Sequence, residues 1–536
     1  VTSDPEDRPD GGDLLAATPG TAAPVAPAEP AAPAGPAAAD DVDRGPEGDL
    51  KSHALSSVKW NFLASVASLL GRLVFTFVLA RLIGPENFGI FSMATLYTTF
   101  AVVVLDQGFG LALIQRKELR PTDVASVAWL NFAMGTTLAV ATLVAAPAIA
   151  DFFGTPELTA VLRVLSIALF LRGITLVREN LVRRHLRFRE FAQLQAAGVL
   201  AGGVAGVVAA LLGAEYWSLV VQILVNDVVI AVGLVMLARD VSWRGSWRSL
   251  RDMASFSSKM LVTQVMIYIG GNVDNILIGR VTSPAQLAFY ALSYRLLRMP
   301  IQMIGSVVNG VALPIFARLQ DDDERTTSWF LTATQAVAVV AFPLFGVMVI
   351  GAEAGVSVAF GDEWQGAVVP LQVLALAGIP MIVRMLLSPL ATARGEAGLV
   401  LFWSTLGVCL QIVGIVVGLW LGGIVGVAAA VTVTAYATWL PNVAHVLRRT
   451  VGLGLDRYVV MLLPPAASTV LAVGVWWAAY TPFRPAEGEA HLAVAFVGVS
   501  VLALAVYGAA MRLLFPRTFA AVVGVGSQVA RRQTGA

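Results

Sequence analysis

Between Ser56 and Leu514 the chain alternates long apolar runs with short polar connections. Fourteen of the runs reach about 20 residues, the length that crosses roughly 30 Å of hydrocarbon at about 1.5 Å of rise per residue. They fall at 59–83, 88–114, 123–149, 158–178, 191–213, 216–238, 252–279, 286–314, 327–350, 366–392, 397–421, 424–446, 458–480 and 490–514. Helices are the expected form, because a segment crossing lipid must satisfy its own backbone N–H and C=O groups. Pro300 predicts a kink inside the eighth run.

The polar connections carry a second pattern. Those after even-numbered spans hold Arg116, Lys117 and Arg120, then Arg178, Arg183, Arg184, Arg187 and Arg189, then Arg239, Arg244, Arg248 and Arg251. Arg318, Arg325, Arg394, Arg448, Arg449 and Arg457 continue the series. Those after odd-numbered spans hold Arg81, Arg280 and Arg484. Cytoplasmic loops collect Lys and Arg, so the asymmetry predicts both termini, and the basic patch Arg183 to Arg189, on the cytoplasmic side. Ala352 to Gly366 is then expected to face outward.

Composition agrees with lipid as the solvent: 57% of residues are hydrophobic and 13% charged, outside the range of soluble globular chains. A formal net charge of +1 gives no footprint for nucleic acid. The single Cys409 excludes an intramolecular disulfide. Residues 1–55 differ from the rest: they are rich in Ala and Pro, and residues 1–50 hold eleven acidic side chains against Arg8 and Arg44. Such a segment has too little apolar area to offset its ordering entropy and is expected to be a disordered cytoplasmic tail. It lacks the basic-then-apolar order of a secretory signal.

An internal repeat organises the apolar part. VLARLIGP at 78–85 aligns with LIGRVTSP at 277–284, matching Arg81 to Arg280 and Pro85 to Pro284. The Phe153-Gly154 and Phe360-Gly361 pairs precede similar stretches, LRVL at 162–165 and LQVL at 371–374. These matches lay spans 1–6 over spans 7–12, and an even number of spans per copy gives parallel repeats about an axis along the membrane normal. The expected fold is all-α and polytopic, with an N-lobe at 56–248, a C-lobe at 249–450, two further spans within 451–516 and a cytoplasmic tail at 517–536.

Charge inside a span is costly and points to function. Arg72, Arg163, Arg172, Lys259, Arg295, Arg298 and Arg384 fall within the runs, opposed by Asp106, Asp227 and Asp274. Helical spacing aligns Asn61, Ser65, Ser68 and Arg72 on span 1, Gln264, Tyr268, Asn272 and Asn275 on span 7, and Tyr290, Tyr294 and Arg298 on span 8. The resulting expectation is a water-filled cavity between spans 1, 2, 7 and 8. Its cationic wall would comprise Arg72, Arg295, Arg298 and Lys259, with Asn61, Tyr268, Asn275 and Tyr294 beside them, and would attract an anion. Two bland readings stand next to it. Arg163 and Lys259 lie near helix ends, where a long side chain reaches the interface. Asp274 and Asp106 are either ion-pair partners of buried arginines or a coupling site. The Gly198, Gly202, Gly206 and Gly414, Gly418, Gly422 series read as seams for close helix packing.

Five runs, RLIGPENFG (81–89), GFGLALIQR (108–116), RRHLRFR (183–189), YWSL (216–219) and VDNILIGR (273–280), resemble the polysaccharide transporter family. These are Wzx-type O-antigen and exopolysaccharide flippases of the multidrug/oligosaccharidyl-lipid/polysaccharide exporter superfamily, and the similarity is to the colanic-acid-type branch. The resemblance spans about residues 55–515. It implies a two-lobed alternating-access transporter in the bacterial cytoplasmic membrane that moves undecaprenyl-diphosphate-linked oligosaccharide to the outer leaflet. It implies no cofactor beyond a coupling cation or proton. Membrane lipids and the machinery of polymerisation and export would be its partners. Asp274 and Arg280 fall on the family's Asp-x-x-x-Ile-Gly-Arg pattern, whereas the acidic tail departs from the family.

The alternatives are a lipid II flippase, which would share the span count and a cationic cavity, a multidrug exporter, which would need an acidic one, and a membrane glycosyltransferase or ligase. The last would place acidic or His groups in a large outer loop, and Ala352 to Gly366 is short. There is no P-loop run for ATP and no His-Glu-x-x-His metal motif.

Overall fold

A computed structural model describes residues 47–106, 120–185, 187–238, 245–481 and 489–520, with side chains omitted at 47–70, 247–250, 252–259, 307, 309 and 489–492. Of the expected tail over 1–55, residues 1–46 lie outside the described residues, as do the run 108–116 and the basic residues Arg116, Lys117, Arg239 and Arg244, whereas the backbone over 47–55 is helical and not the disordered segment expected there. The described residues from 56 onward form one compact unit.

Among the described residues the elements are helical. They are α1 (Glu47–Asp106), α2 (Pro121–Phe153), α3 (Leu158–Arg184), α4 (Phe188–Leu211), α5 (Trp217–Leu237), α6 (Trp247–Val281) and α7 (Pro284–Arg318). After these come α8 (Asp323–Phe360), a 3-10 turn (Asp362–Ala367), α9 (Val368–Val383), α10 (Leu387–Ala393), α11 (Ala397–Thr450), α12 (Leu455–Tyr480) and α13 (Glu489–Leu514).

Among the described residues, eleven helical stretches are long and apolar enough to cross a membrane, twelve with the bent α7. Two of the eleven, in α1 and α11, are interrupted by glycine. In α1 the break is Gly84, at φ 74°, followed by Pro85, a left-handed residue and then a ring suited to a new first helical turn. In α11 it is Gly422 and Gly423, the latter at φ 56°. The arms of α11 run back along each other so closely that a Cβ on Gly426 would sit 1.9 Å from the carbonyl oxygen of Gly418. Counted by arms, the described residues hold fourteen candidate crossings, the number of apolar runs in the sequence, and the chain is a multi-pass membrane protein.

Two local expectations are corrected. The bend in α7, 41°, lies between Ser306 and Gly310 and not at Pro300. Pro314 accounts for it, since a proline ring collides with the carbonyl four residues earlier and removes that hydrogen bond. Span 4, read as ending at residue 178, continues to Arg184, so Glu179, Arg183 and Arg184 are helical. The basic last turn complements the negative end of the helix dipole.

The glycine seam of α4 meets α5: a Cβ on Gly202 would lie 2.5 Å from the carbonyl of Gln222, and one on Gly198 3.0 Å from Asn226 Oδ1. The largest buried apolar cluster joins both halves of the chain, from Ile90, Met93, Phe153 and Leu158 to Leu287, Tyr290, Phe316 and Phe330. At the end bearing the odd-numbered connections the halves are locked together. Trp364 Nε1 donates to the carbonyl of Ala80 at 3.1 Å, Phe88 meets the Trp364 ring edge-on at 5.4 Å, and a Cβ on Gly89 would fall 1.9 Å from the carbonyl oxygen of Pro284.

Candidate functional site

On the other side of that locked end, both arms of α1 together with α6 and α7 enclose a cavity of about 600 Å³. Arg72, Tyr268, Asn275, Tyr294, Arg295 and Arg298 all line it, so six of the eight sequence-selected cavity residues converge. The side chains of the other two, Asn61 and Lys259, lie outside the described residues. Arg72 is twelve residues from Gly84 and Arg295 eleven from Pro284, which at about 1.5 Å per residue puts both guanidinium groups at mid-depth. The two feel each other's charge. None of the described residues lining this cavity is acidic.

The i, i+4 spacing on α7 builds a ladder behind the wall. The Arg298 guanidinium lies over the Tyr294 ring at 5.1 Å, Tyr294 stacks on Tyr290 at 5.8 Å, and the Tyr290 hydroxyl donates to Asp274 Oδ2 at 2.8 Å. Asp274 is 2% exposed and also accepts from the backbone N–H of Asn275 at 2.8 Å and its side-chain amide at 3.2 Å. Its carboxylate is thus held by hydroxyl and amide donors rather than by a guanidinium. Across the cavity, the Tyr268 hydroxyl donates to the carbonyl of Leu96 at 2.5 Å, tying α6 to the second arm of α1.

Asp106 belongs elsewhere. Its Oδ1 is buried without a hydrogen-bond partner among the described residues, within electrostatic reach of Arg172, Glu179 and Arg183. Glu179 bridges Arg172 at 3.1 Å and Arg183 at 2.7 Å. This network borders a second cavity of about 440 Å³ in the N-terminal half, which shares Arg72 and Arg295 with the first and adds Gln222, Asn226 and Asp227.

Sequence reasoning missed the hydroxyl wall of Thr95 and Thr99, which line both cavities. The signal was there: Ser92, Thr95 and Thr99 recur at three and four residues, the spacing of one helical face. It also missed Glu179, placed beyond the end of span 4.

Comparison with known proteins adds context to this geometry. The family model described as "Polysaccharide biosynthesis protein" matches residues 78–369. The teichuronic acid biosynthesis protein TuaB of Bacillus subtilis is 28% identical over 437 residues, covering 78% of this chain and 88% of its own length. The lipopolysaccharide biosynthesis protein WzxC of Escherichia coli is 24% identical, covering 78% and 85%. Among solved structures, the inward closed conformation of the lipid II flippase MurJ superposes with a TM-score of 0.67 at 11% identity, over 85% of this chain and 99% of its own. An inward-facing multidrug transporter of the MOP superfamily gives 0.56 at 16% identity, over 71% and 96%. These structural likenesses establish the fold.

Proposed function

Because the chain belongs to the polysaccharide biosynthesis protein family, we propose that it is a flippase for lipid-linked oligosaccharide. On this reading it moves undecaprenyl-diphosphate-linked repeat units from the inner to the outer leaflet of the bacterial cytoplasmic membrane by alternating access. The observation that carries the reading is the mid-depth cavity with Arg72, Arg295 and Arg298 on its wall and no acidic residue among those described there. A lipid diphosphate presents adjacent negative phosphates, and guanidinium groups hold phosphate through paired, charge-assisted hydrogen bonds. Tyr268 offers an aromatic ring to a sugar, and Tyr294 holds Arg298 over its own ring at the cavity wall. A cationic drug would meet repulsion at the same wall.

The closed odd-numbered end and the cavity behind it fit one state of an alternating cycle, in which some ligand must favour one conformation over the other. No P-loop is available to supply that bias from a nucleotide, so a membrane potential or a cation gradient is its source in this reading. The surface-polymer pathways named for TuaB and WzxC support the cargo class. The test is deletion of the gene followed by mass analysis of lipid-linked intermediates. Accumulation of an undecaprenyl-diphosphate oligosaccharide is the expected result, and an unchanged pool with normal surface polymer would refute the reading.

A further inference from the structure

Arg384 is an intramembrane arginine that lines neither the central cavity nor the second one beside it. The tenth span breaks between Val383 and Leu387, with Arg384 capping the end of α9. Beside the break lies a cavity of about 370 Å³ bounded by α9, α10 and both arms of α11, lined by Arg384, Ser388, Trp403, Gln411, Thr438 and Asn442 among others. Arg384 is the single charged residue among those lining it. Among the described residues its guanidinium has no ion-pair partner, and Trp403 Nε1 is buried without an acceptor. An unbalanced charge within a membrane span and an unpaired buried donor are both costly. A ligand bringing one negative charge and several hydrogen-bonding groups relieves both.

The lining fixes the class of that ligand. One guanidinium matches one carboxylate as a planar, two-pronged pair, whereas a diphosphate suits the three arginines of the central cavity. Hydroxyl and carboxamide side chains complement sugar hydroxyls. The volume is near the lower limit of about 300 Å³ for small-molecule sites, which fits one sugar ring and not an oligosaccharide. Asn442 and Val446, both in the lining, stand within two turns of the basic end Arg448–Arg449, on the side of the even-numbered connections.

We propose that the Arg384 cavity is a second binding site that takes a carboxylate-bearing sugar of the uronate type, with Arg384 holding the carboxylate. The site deepens the flippase reading and rests on it, since a sugar acid is a component of acidic oligosaccharide cargo. It selects cargo by its charged sugar while the central cavity grips the diphosphate.

The test uses the full chain in nanodiscs, with free glucuronate as probe and binding read by saturation-transfer NMR. Glucuronate should give signal, while glucose and the methyl ester of glucuronate bind at least tenfold more weakly. Arg384→Gln and the milder Gln411→Ala should each weaken glucuronate binding about tenfold or more in protein that remains monodisperse. Arg72→Ala should leave glucuronate binding intact while weakening binding of a lipid diphosphate. Undiminished binding to Arg384→Gln, or equal binding of glucose, would overturn the proposal. Complete displacement by an equal concentration of chloride would overturn it in favour of a halide site. No signal from glucuronate with lipid-diphosphate binding intact would remove this site alone; glucuronate binding without any lipid-diphosphate binding would instead sink the flippase reading.

Discussion

The Arg81 guanidinium donates to the backbone carbonyl of Val358 at 2.8 Å, joining the end of the first arm of α1 to the end of α8. The repeat-related Arg280 does the reciprocal thing: it lies over the ring of Phe152, at the end of α2, at 5.4 Å. Each arginine therefore reaches from one half of the chain to the corresponding helix end of the other. With the Trp364 to Ala80 bond, these contacts close the odd-numbered end. A hydrogen bond from a charged donor contributes about 1.5–3 kcal/mol, so Arg81→Ala should shift the open-to-closed ratio by roughly tenfold or more. Ala288, buried in the seam, supplies the probe. In a Cys409→Ala background, Ala288→Cys should react slowly with a thiol reagent, and markedly faster once Arg81→Ala is added. Equal rates would show that the contact does not hold the end shut.

Two glycines that make equally close approaches should respond differently when enlarged. Gly89 meets Pro284 across the seam, whereas Gly418 meets Gly426 within one hairpin. Gly89→Val should leave the protein in the membrane but prevent closure and abolish export. Gly418→Val should separate the arms of α11 and lower abundance, since overpacking costs about 1–3 kcal/mol or more. Immunoblotting of membranes beside a surface-polymer assay separates the outcomes; a shared loss of abundance would mean that Gly89 is needed for folding and would end its assignment to the gate.

Arg72→Ala and Arg295→Ala should each abolish polymer export without loss of protein from the membrane. Both line the mid-depth cavity and feel each other's positive charge, and Asp227, which also feels Arg72, keeps Arg172 as a charge partner when Arg72 is removed. Intact export in either variant contradicts the cavity assignment. Parallel loss of abundance and export would give that arginine a structural role.

Asp274 should matter for movement more than for grip, because it sits behind the wall, hydrogen-bonded to Tyr290 and separated from Arg298 by the stacked rings of Tyr290 and Tyr294. Asp274→Asn is expected to slow flipping while preserving binding of the lipid-linked substrate. An unimpaired variant would remove the carboxylate from the mechanism. Tyr290→Phe deletes one donor to a buried carboxylate and should destabilise the protein by about 1–3 kcal/mol, visible as a lowered unfolding temperature in detergent.

Much of this was legible in the sequence because lipid imposes a length on every span and helical spacing assigns faces. Those two constraints were enough to bring Arg72, Tyr268, Asn275, Tyr294, Arg295 and Arg298 to one cavity. Positions governed by tertiary approach were less legible. The partner of Asp274 is a tyrosine sixteen residues away, and nothing in local spacing favours it over an arginine. The bend of α7 depends on which of two prolines the packing allows to distort the helix. The end of α3 was misplaced because Glu179, Arg183 and Arg184 read as loop by charge, although the Glu179 bridge to Arg172 and Arg183 makes them a helical network.

The central claim is that the arginine-lined cavity carries a lipid diphosphate across the membrane, and translocation in proteoliposomes measures it most directly. Purified protein would be reconstituted with a fluorescent undecaprenyl-diphosphate oligosaccharide, and appearance of the probe in the opposite leaflet followed with an imposed potential or cation gradient and with both collapsed. The account predicts gradient-dependent transfer by the unaltered protein, reduced to the protein-free rate by Arg72→Ala or Arg295→Ala. Transfer that persists undiminished in both variants, or no transfer under any gradient by folded protein, would contradict it.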